Sequence, residues 1–326
     1  MEYNGVTSSY KSITCGVPQG STLGPLLFLL YINDLASVST IIFSILFADD
    51  SNLFISGKDP NKLITTMNTE ITKVVEWLKI NKLSLNLKKT HFMIFRKNRE
   101  KVMVKSDLIV SNTVISMVQK TKFLGVIIDP RLNFFNHIQY IKSKVARGIG
   151  ILYKCRKFFS STTLLTLYYS FIYPYLNYCN NIWGNTFCTY LEPLVKLQKK
   201  AIRIIANEKR NAHTGNLFIK FNVLDMKKLY VYCVQLFMFK FYHHLVPNIF
   251  DNFYTINSDV HPHFTRQSSL LHVAKAKTKP KLTSIRITGV KTFNFYHDII
   301  DMNCSIITYK KKLKYHLKLN DVSGLV

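Results

Sequence analysis

The pattern of apolar and polar positions is most informative around residue 45. Ile41-Ile42-Phe43-Ser44-Ile45-Leu46 is apolar or small throughout, with Ile at three positions, and reads as a buried strand. Asp49-Asp50 falls where that strand should turn, so residues 41–48 and 52–56 are expected to pair as a hairpin. Asp59-Pro60 is a helix start, with a capping carboxylate and a proline at the first helical position. Leu63, Ile64, Met67, Ile71, Val74, Val75 and Leu78 then recur at three- and four-residue steps, which predicts an amphipathic helix ending at Asn81. Upstream, residues 26–35 read as a short buried helix. Downstream, strands are expected at 91–95, on both sides of Ser111-Asn112, and at 123–128 before Asp129-Pro130.

Beyond residue 130 the period is helical, so a domain boundary is placed there. Helices are expected at about 135–157, 162–182, 190–207, 225–244 and 305–319. The second holds Tyr168, Tyr169, Phe171, Tyr173, Tyr175, Tyr178 and Trp183 around Pro174, which should kink it. An aromatic run at this density reads as helix-bundle core before it reads as a base-stacking platform. On the third helix Lys196, Lys199, Lys200 and Arg203 make a basic stripe opposite Leu194, Leu197 and Ile205. Residues 255–290 read as a loop with extended segments. Lys275, Lys277, Lys279 and Lys281 stand at every second position there, so an extended chain would line them on one side to track a polyanion.

Charge changes the picture. The 326 residues carry 44 Lys and Arg against 18 Asp and Glu, a formal net charge of +26. Residues 1–95 hold 8 basic and 7 acidic side chains, leaving 36 and 11 for residues 96–326. A near-neutral segment bearing the acids is followed by a segment suited to gripping a polyanion. With 48% hydrophobic residues the chain must fold, and its length allows two cores. The six cysteines form no CxxC pair, which reads as buried, reduced thiols in an intracellular protein. The longest apolar run, residues 26–32, is too short to span a bilayer.

Two adjacent carboxylates on a hairpin are hard oxygen donors of the kind Mg²⁺ takes, although an isolated Asp-Asp is more often a solvated turn. The surroundings favour the metal. Gly16-Val17-Pro18-Gln19-Gly20-Ser21-Thr22-Leu23-Gly24-Pro25 lies upstream of Phe47-Ala48-Asp49-Asp50. Asn81-Lys82-Leu83-Ser84-Leu85-Asn86 and Lys89-Thr90 follow, then Phe123-Leu124-Gly125. In order and spacing this closely resembles the reverse transcriptases of non-LTR retrotransposons. Ile172-Tyr173-Pro174 and Ile182-Trp183-Gly184 resemble the helical segment of the jockey-like members.

The resemblance implies an α+β fold: part of a polymerase palm over residues 1–130, a helical thumb-like domain over 131–254, and a basic loop and helix over 255–326. It implies RNA-directed DNA synthesis on an RNA template and a DNA primer, with deoxynucleotides as substrates and Mg²⁺ as cofactor. Asp49 and Asp50 would be the metal-binding pair. Pro18, Gln19, Gly20 and Lys89 would serve the nucleotide and template, and Phe123, Leu124 and Gly125 the primer grip. Nuclear residence would follow from the family's need to reach chromosomal DNA; no membrane association is implied. Family members carry a further metal-binding Asp in a strand motif before the Gly-rich loop. Glu2 is the only acid in residues 1–15, and Asp34 ends a predicted helix. The expectation is therefore an N-terminally truncated polymerase, weak in metal and inactive alone. The competing expectation is a non-catalytic basic remnant that binds nucleic acid through backbone charge.

Overall fold

The computed structural model describes residues 2–7, 9, 16–17, 20–96, 104–260, 267–322 and 324–325. The fold mixes helices with small antiparallel sheets, as α+β implies. It divides into two units, Met1–Val118 and Gln119–Val326. The break precedes the expected one near 130, because residues 121–128 pack with the helices that follow.

In the first unit β1 (Glu2–Tyr3) pairs with β2 (Val6–Thr7). Then come α1 (Gly24–Ile32), β3 (Phe43–Phe47), β4 (Asp50–Phe54) and α2 (Pro60–Ile80). A last hairpin joins β5 (Ile109–Val110) to β6 (Thr113–Val114). The helix read from Asp59-Pro60 is found as expected: the Asp59 carboxylate accepts from the Asn61 amide and Asn81 closes the last turn. Ile64 and Ile71 pack with Leu108, Val110 and Ile115, while Val74 packs with Ile32 and Leu35. Ser111 and Asn112 both take positive φ (47° and 60°), which makes a two-residue hairpin turn there.

Three expectations fail in this unit. The α1 helix is not buried: Leu26, Leu27, Leu29 and Leu30 are exposed, because this short helix is apolar on every side and only one side has a neighbour. The segment 41–46 is not a fully buried strand either, since Ile41 and Phe43 are exposed. Residues 91–95 form no strand beyond one parallel bridge from Phe92 to Met117.

The second unit opens with β7 (Thr121–Phe123) and β8 (Val126–Ile128), a hairpin where one strand was expected. Next are α3 (Phe135–Cys155), α4 (Ser161–Phe171), α5 (Tyr173–Asn177), α6 (Asn180–Trp183) and α7 (Cys188–Ile205). They are followed by α8 (Gly215–Lys220), α9 (Met226–Tyr242), α10 (Asn257–Val260), α11 (Lys279–Leu282), α12 (Ile285–Tyr296) and α13 (Ile306–Leu319). Helix α12 begins inside the stretch read as a loop. The stretch 162–182 is three helices, not one: Pro174 restarts the chain at α5, and Cys179 (φ 50°) breaks it again.

One continuous core runs through this unit, from Val126 to Val322. In α3 Ile138, Ile141, Val145, Ile149 and Leu152 supply one buried face. Gly148 lets α4 come close, since a Cβ there would meet the Ile172 side chain at 2.7 Å and the Phe171 carbonyl at 3.0 Å. Tyr168 and Trp183 are fully buried, so the aromatic run is largely core, although Phe171 and Tyr178 remain exposed. The described cysteines are free thiols, but burial was overstated: Cys188 is exposed, and Cys155, Cys179, Cys233 and Cys304 are half-buried.

Candidate active site

The acids sit at the end of the β3–β4 hairpin. The register pairs Phe43 with Phe54, Ile45 with Asn52 and Phe47 with Asp50, so Ala48 and Asp49 form the two-residue loop and Asp50 begins the second strand. Ala48 has φ 51°, the left-handed region that a tight hairpin loop demands and that a side chain tolerates at a cost of about 1–2 kcal/mol. Directly opposed residues share a sheet face, so Asp50 shares one with Phe47, Ile45, Asn52, Phe43 and Phe54. Leu46 and Leu53, on the other face, pack against Ile32, Leu35 and Val74. Asp49 and Asp50 are both exposed.

Two residues not singled out from the sequence hold this hairpin in place. Glu70 is buried on α2 and accepts from the Ser39 hydroxyl at 2.6 Å and from the Lys73 ammonium at 2.7 Å. Ser39 Oγ in turn accepts from the backbone N–H of Ile41 and of Ile42, both at 3.1 Å. The approach to β3 is thus anchored to α2. The hydrogen bonds from Lys73 and then Ser39 hold the Glu70 carboxyl below the usual carboxylate range. A charged Glu inside an apolar helix face was the available signal. Tyr31, whose hydroxyl donates to the Asn81 carbonyl, joins α1 to the end of α2.

The other expected residues are more scattered. Pro18 and Gln19 lie outside the described residues. Gly20 is exposed with φ 84°. Lys89 is exposed on a turn whose amides, at Lys89 and Thr90, donate to the Asn86 carbonyl. Phe123, Leu124 and Gly125 belong to the second unit, where Leu124 (φ 43°) and Gly125 (φ 86°) are the loop of the β7–β8 hairpin. Tyr178 grips that loop: its hydroxyl donates to the Leu124 carbonyl at 2.7 Å, and its ring would stand 3.1 Å from a Cβ on Gly125. His137 holds the neighbouring strand, its Nδ1 accepting from the Ile127 N–H at 3.2 Å.

Among the basic residues, Lys199 and Lys200 are exposed on α7. Lys196 is paired with Glu192 at 2.7 Å, and the half-buried Arg203 donates from Nε to the Ala212 carbonyl at 2.8 Å. Arg203 therefore braces a loop. Lys275 and Lys277 stand on the exposed side of an extended stretch, but Lys279 and Lys281 are in α11, where the helical turn takes them off that line. Lys279 instead lies 5.8 Å from the centre of the Phe187 ring.

Magnesium chemistry suits the two carboxylates, yet among the described residues no group of three or more His, Cys, Asp or Glu side chains could hold an ion. The pair is at most part of a site. No helix among the described residues is long and apolar enough to cross a membrane.

Comparisons with known proteins cover the hairpin and its neighbours. The family described as reverse transcriptase (RNA-dependent DNA polymerase) matches residues 2–128. The chain is 26% identical over 213 residues to a probable RNA-directed DNA polymerase from transposon X-element of Drosophila melanogaster, covering 63% of this chain and 23% of that protein. It is 26% identical over 214 residues to the RNA-directed DNA polymerase from mobile element jockey of the same fly, covering 62% and 23%. A Pol polyprotein from type-1 retrotransposable element R1 of Bradysia coprophila is 27% identical over 198 residues, covering 53% and 20%. The chain thus spans about a quarter of these relatives or less. No solved structure matches it. Over residues 2–128 the chain is thus similar to reverse transcriptases, and the relatives it resembles come from the mobile elements X-element, jockey and R1.

Proposed function

We propose that this chain is a palm and thumb-like portion of an RNA-directed DNA polymerase, in which residues 1–130 carry chemistry and residues 131–326 hold the template and primer. The observation that carries the reading is the β3–β4 hairpin. It places Asp49 in a two-residue loop and Asp50 on the adjoining strand, both open to solvent, inside the segment that matches the family. The net charge of the second unit, with 31 Lys and Arg against 9 Asp and Glu in residues 119–326, suits the holding role.

Asp49 and Asp50 would contribute carboxylate oxygens to Mg²⁺, with further donors required from beyond this pair. Held in part by Asp49 and Asp50, such ions would supply Lewis-acid activation of a primer hydroxyl and charge stabilisation of the leaving pyrophosphate. The chain's own part is mechanical. The tight loop limits how far Asp49 can move, and the Glu70–Ser39 anchor fixes the strand that carries it. Lys89 would stand near the nucleotide phosphates, Gly20 would line the nucleotide pocket, and the clamped Leu124-Gly125 loop would support the primer end.

Primer extension on an RNA template with Mg²⁺ or Mn²⁺ tests the reading. Incorporation that disappears in Asp49→Ala and in Asp50→Ala supports it. Incorporation that survives both substitutions refutes the assigned acids, and an absence of incorporation with intact, saturable binding of template–primer favours the non-catalytic holding role.

A further inference from the structure

The polymerase reading leaves the outer face of α3 without a task. Between Asp129 and Glu192 the sequence has no carboxylate side chain, yet it contains Arg131, Lys142, Lys144, Arg147, Lys154, Arg156 and Lys157. Three of these lie on one stripe of α3, opposite the buried face: Lys142, Ala146, Arg147, Gly150, Tyr153 and Lys154 are all exposed. The middle of the stripe is flat. A Cβ on Gly150 would meet nothing within 4 Å. Cations therefore flank a track that a bulky chain can approach closely.

The track ends at the junction of α3 and α4, where Lys157, Phe158 and Phe159 follow one another. Phe158 is 82% exposed, Phe159 49% and Tyr153 55%. The Arg156 guanidinium lies over the Tyr153 ring, 4.4 Å from its centre. Aromatic rings this open are costly in water and mark a binding surface when they cluster. The uninterrupted positive charge selects a polyanion. A lipid surface would be met by a broad apolar helix face, whereas here the apolar part is a few rings at one tip and the helix face itself is cationic. Rings and a guanidinium plane beside a cationic track match the requirements of unpaired bases on a phosphate backbone.

We propose that the exposed face of α3 and the α3–α4 tip bind single-stranded nucleic acid. Lys142, Arg147, Lys154 and Lys157 meet the phosphates, and Tyr153, Phe158 and Phe159 stack on bases. The inference rests on the reading that this chain handles nucleic acid, and it is independent of Asp49 and Asp50.

The test is fluorescence anisotropy of the full chain with labelled oligo(dT), oligo(U) and a duplex of equal length, across a salt series. Changing Phe158→Ala together with Phe159→Ala should weaken both single strands about tenfold or more, with little change in salt slope and little effect on the duplex. Phe158→Leu with Phe159→Leu, which keeps the apolar bulk and removes the rings, should lose affinity to a similar degree. Lys154→Gln with Lys157→Gln should reduce the single-strand slope of log affinity against log salt by about 1.4. Full affinity in the leucine variant, or equal losses on single strand and duplex, would overturn the stacking surface. So would capture of the wild-type chain by phosphatidylserine vesicles that depends on the same rings while oligonucleotide binding does not. A chain that extends primers but ignores the ring substitutions refutes only this track. A wild-type chain that binds through the rings but does not extend primers refutes only the polymerase reading.

Discussion

The two units use similar proportions of apolar sequence in opposite ways. In residues 119–326 the apolar residues meet in one core, and fully buried aromatic rings such as Trp183, Tyr168, Tyr230 and Tyr309 tie its helices together. Among the described residues of 1–118 the core falls into two small clusters, around Ile64 and around Leu35, while four leucines of α1 and two phenylalanines of β3 stay in water. The unit with the basic charge is therefore the well-packed one. The unit with the acids rests on few contacts, each of which matters more.

The comparison breaks most readily in the cores. Leu152→Ala, which empties a fully buried site in α3, should cost the second unit about 3–5 kcal/mol, whereas Val74→Ala at the thinner α2 cluster should cost the first about 1–2. Calorimetry of each variant checks both, and a larger loss for Val74→Ala would reverse the ranking.

Acid should act on the second unit next. Burial pushes the His137 imidazole down to about 4 from 6.5, its Nδ1 must stay unprotonated to accept from Ile127, and its Nε2 has no hydrogen-bond partner. Because the folded value lies below the unfolded one, the neutral ring favours folding above pH 6.5, and that contribution is lost as pH falls from 6.5 towards 4. The loss should be on the order of 2–3 kcal/mol. Urea melts at pH 7 and pH 4.5 should show this interval in the wild type and a smaller one in His137→Gln.

Smaller effects sharpen the first unit. Glu70→Ala removes the acceptor for Ser39, so the Ile41 and Ile42 amides should exchange faster with solvent while α2 stays folded. Unchanged exchange at those two amides would show that the hairpin is positioned by its apolar face alone. The smallest effect is expected on α7. Lys199→Gln with Lys200→Gln should lower the salt slope of nucleic-acid binding by about 2 on duplex and leave folding unaltered, since both side chains are exposed.

What could be read from the sequence follows from how local each interaction is. Helix α2 was legible from its cap, proline and period because all three act within the helix. The acids and their hairpin were legible for the same reason, the turn being set by neighbours in the chain. Exposure of α1 was not, because an apolar run specifies a need for burial and says nothing of whether a neighbour exists. Nor was the split of 123–128 into a hairpin, since Leu124 reaches a positive φ through Tyr178, far along the chain. The four alternating lysines were misjudged in part because Pro280 starts a helical turn at Lys279. Helix α12 was missed in a stretch whose lysines and threonines gave no clean apolar period.

The clamp between Tyr178 and the Leu124-Gly125 loop also bears on the order of folding. A loop with Leu in the left-handed region has little reason to form by itself, and its fastening arrives 54 residues later, beyond α3 and α4. The segment expected to support a primer end should therefore take shape after the helices have assembled. Tyr178→Phe should accordingly speed unfolding and leave the refolding rate nearly unchanged.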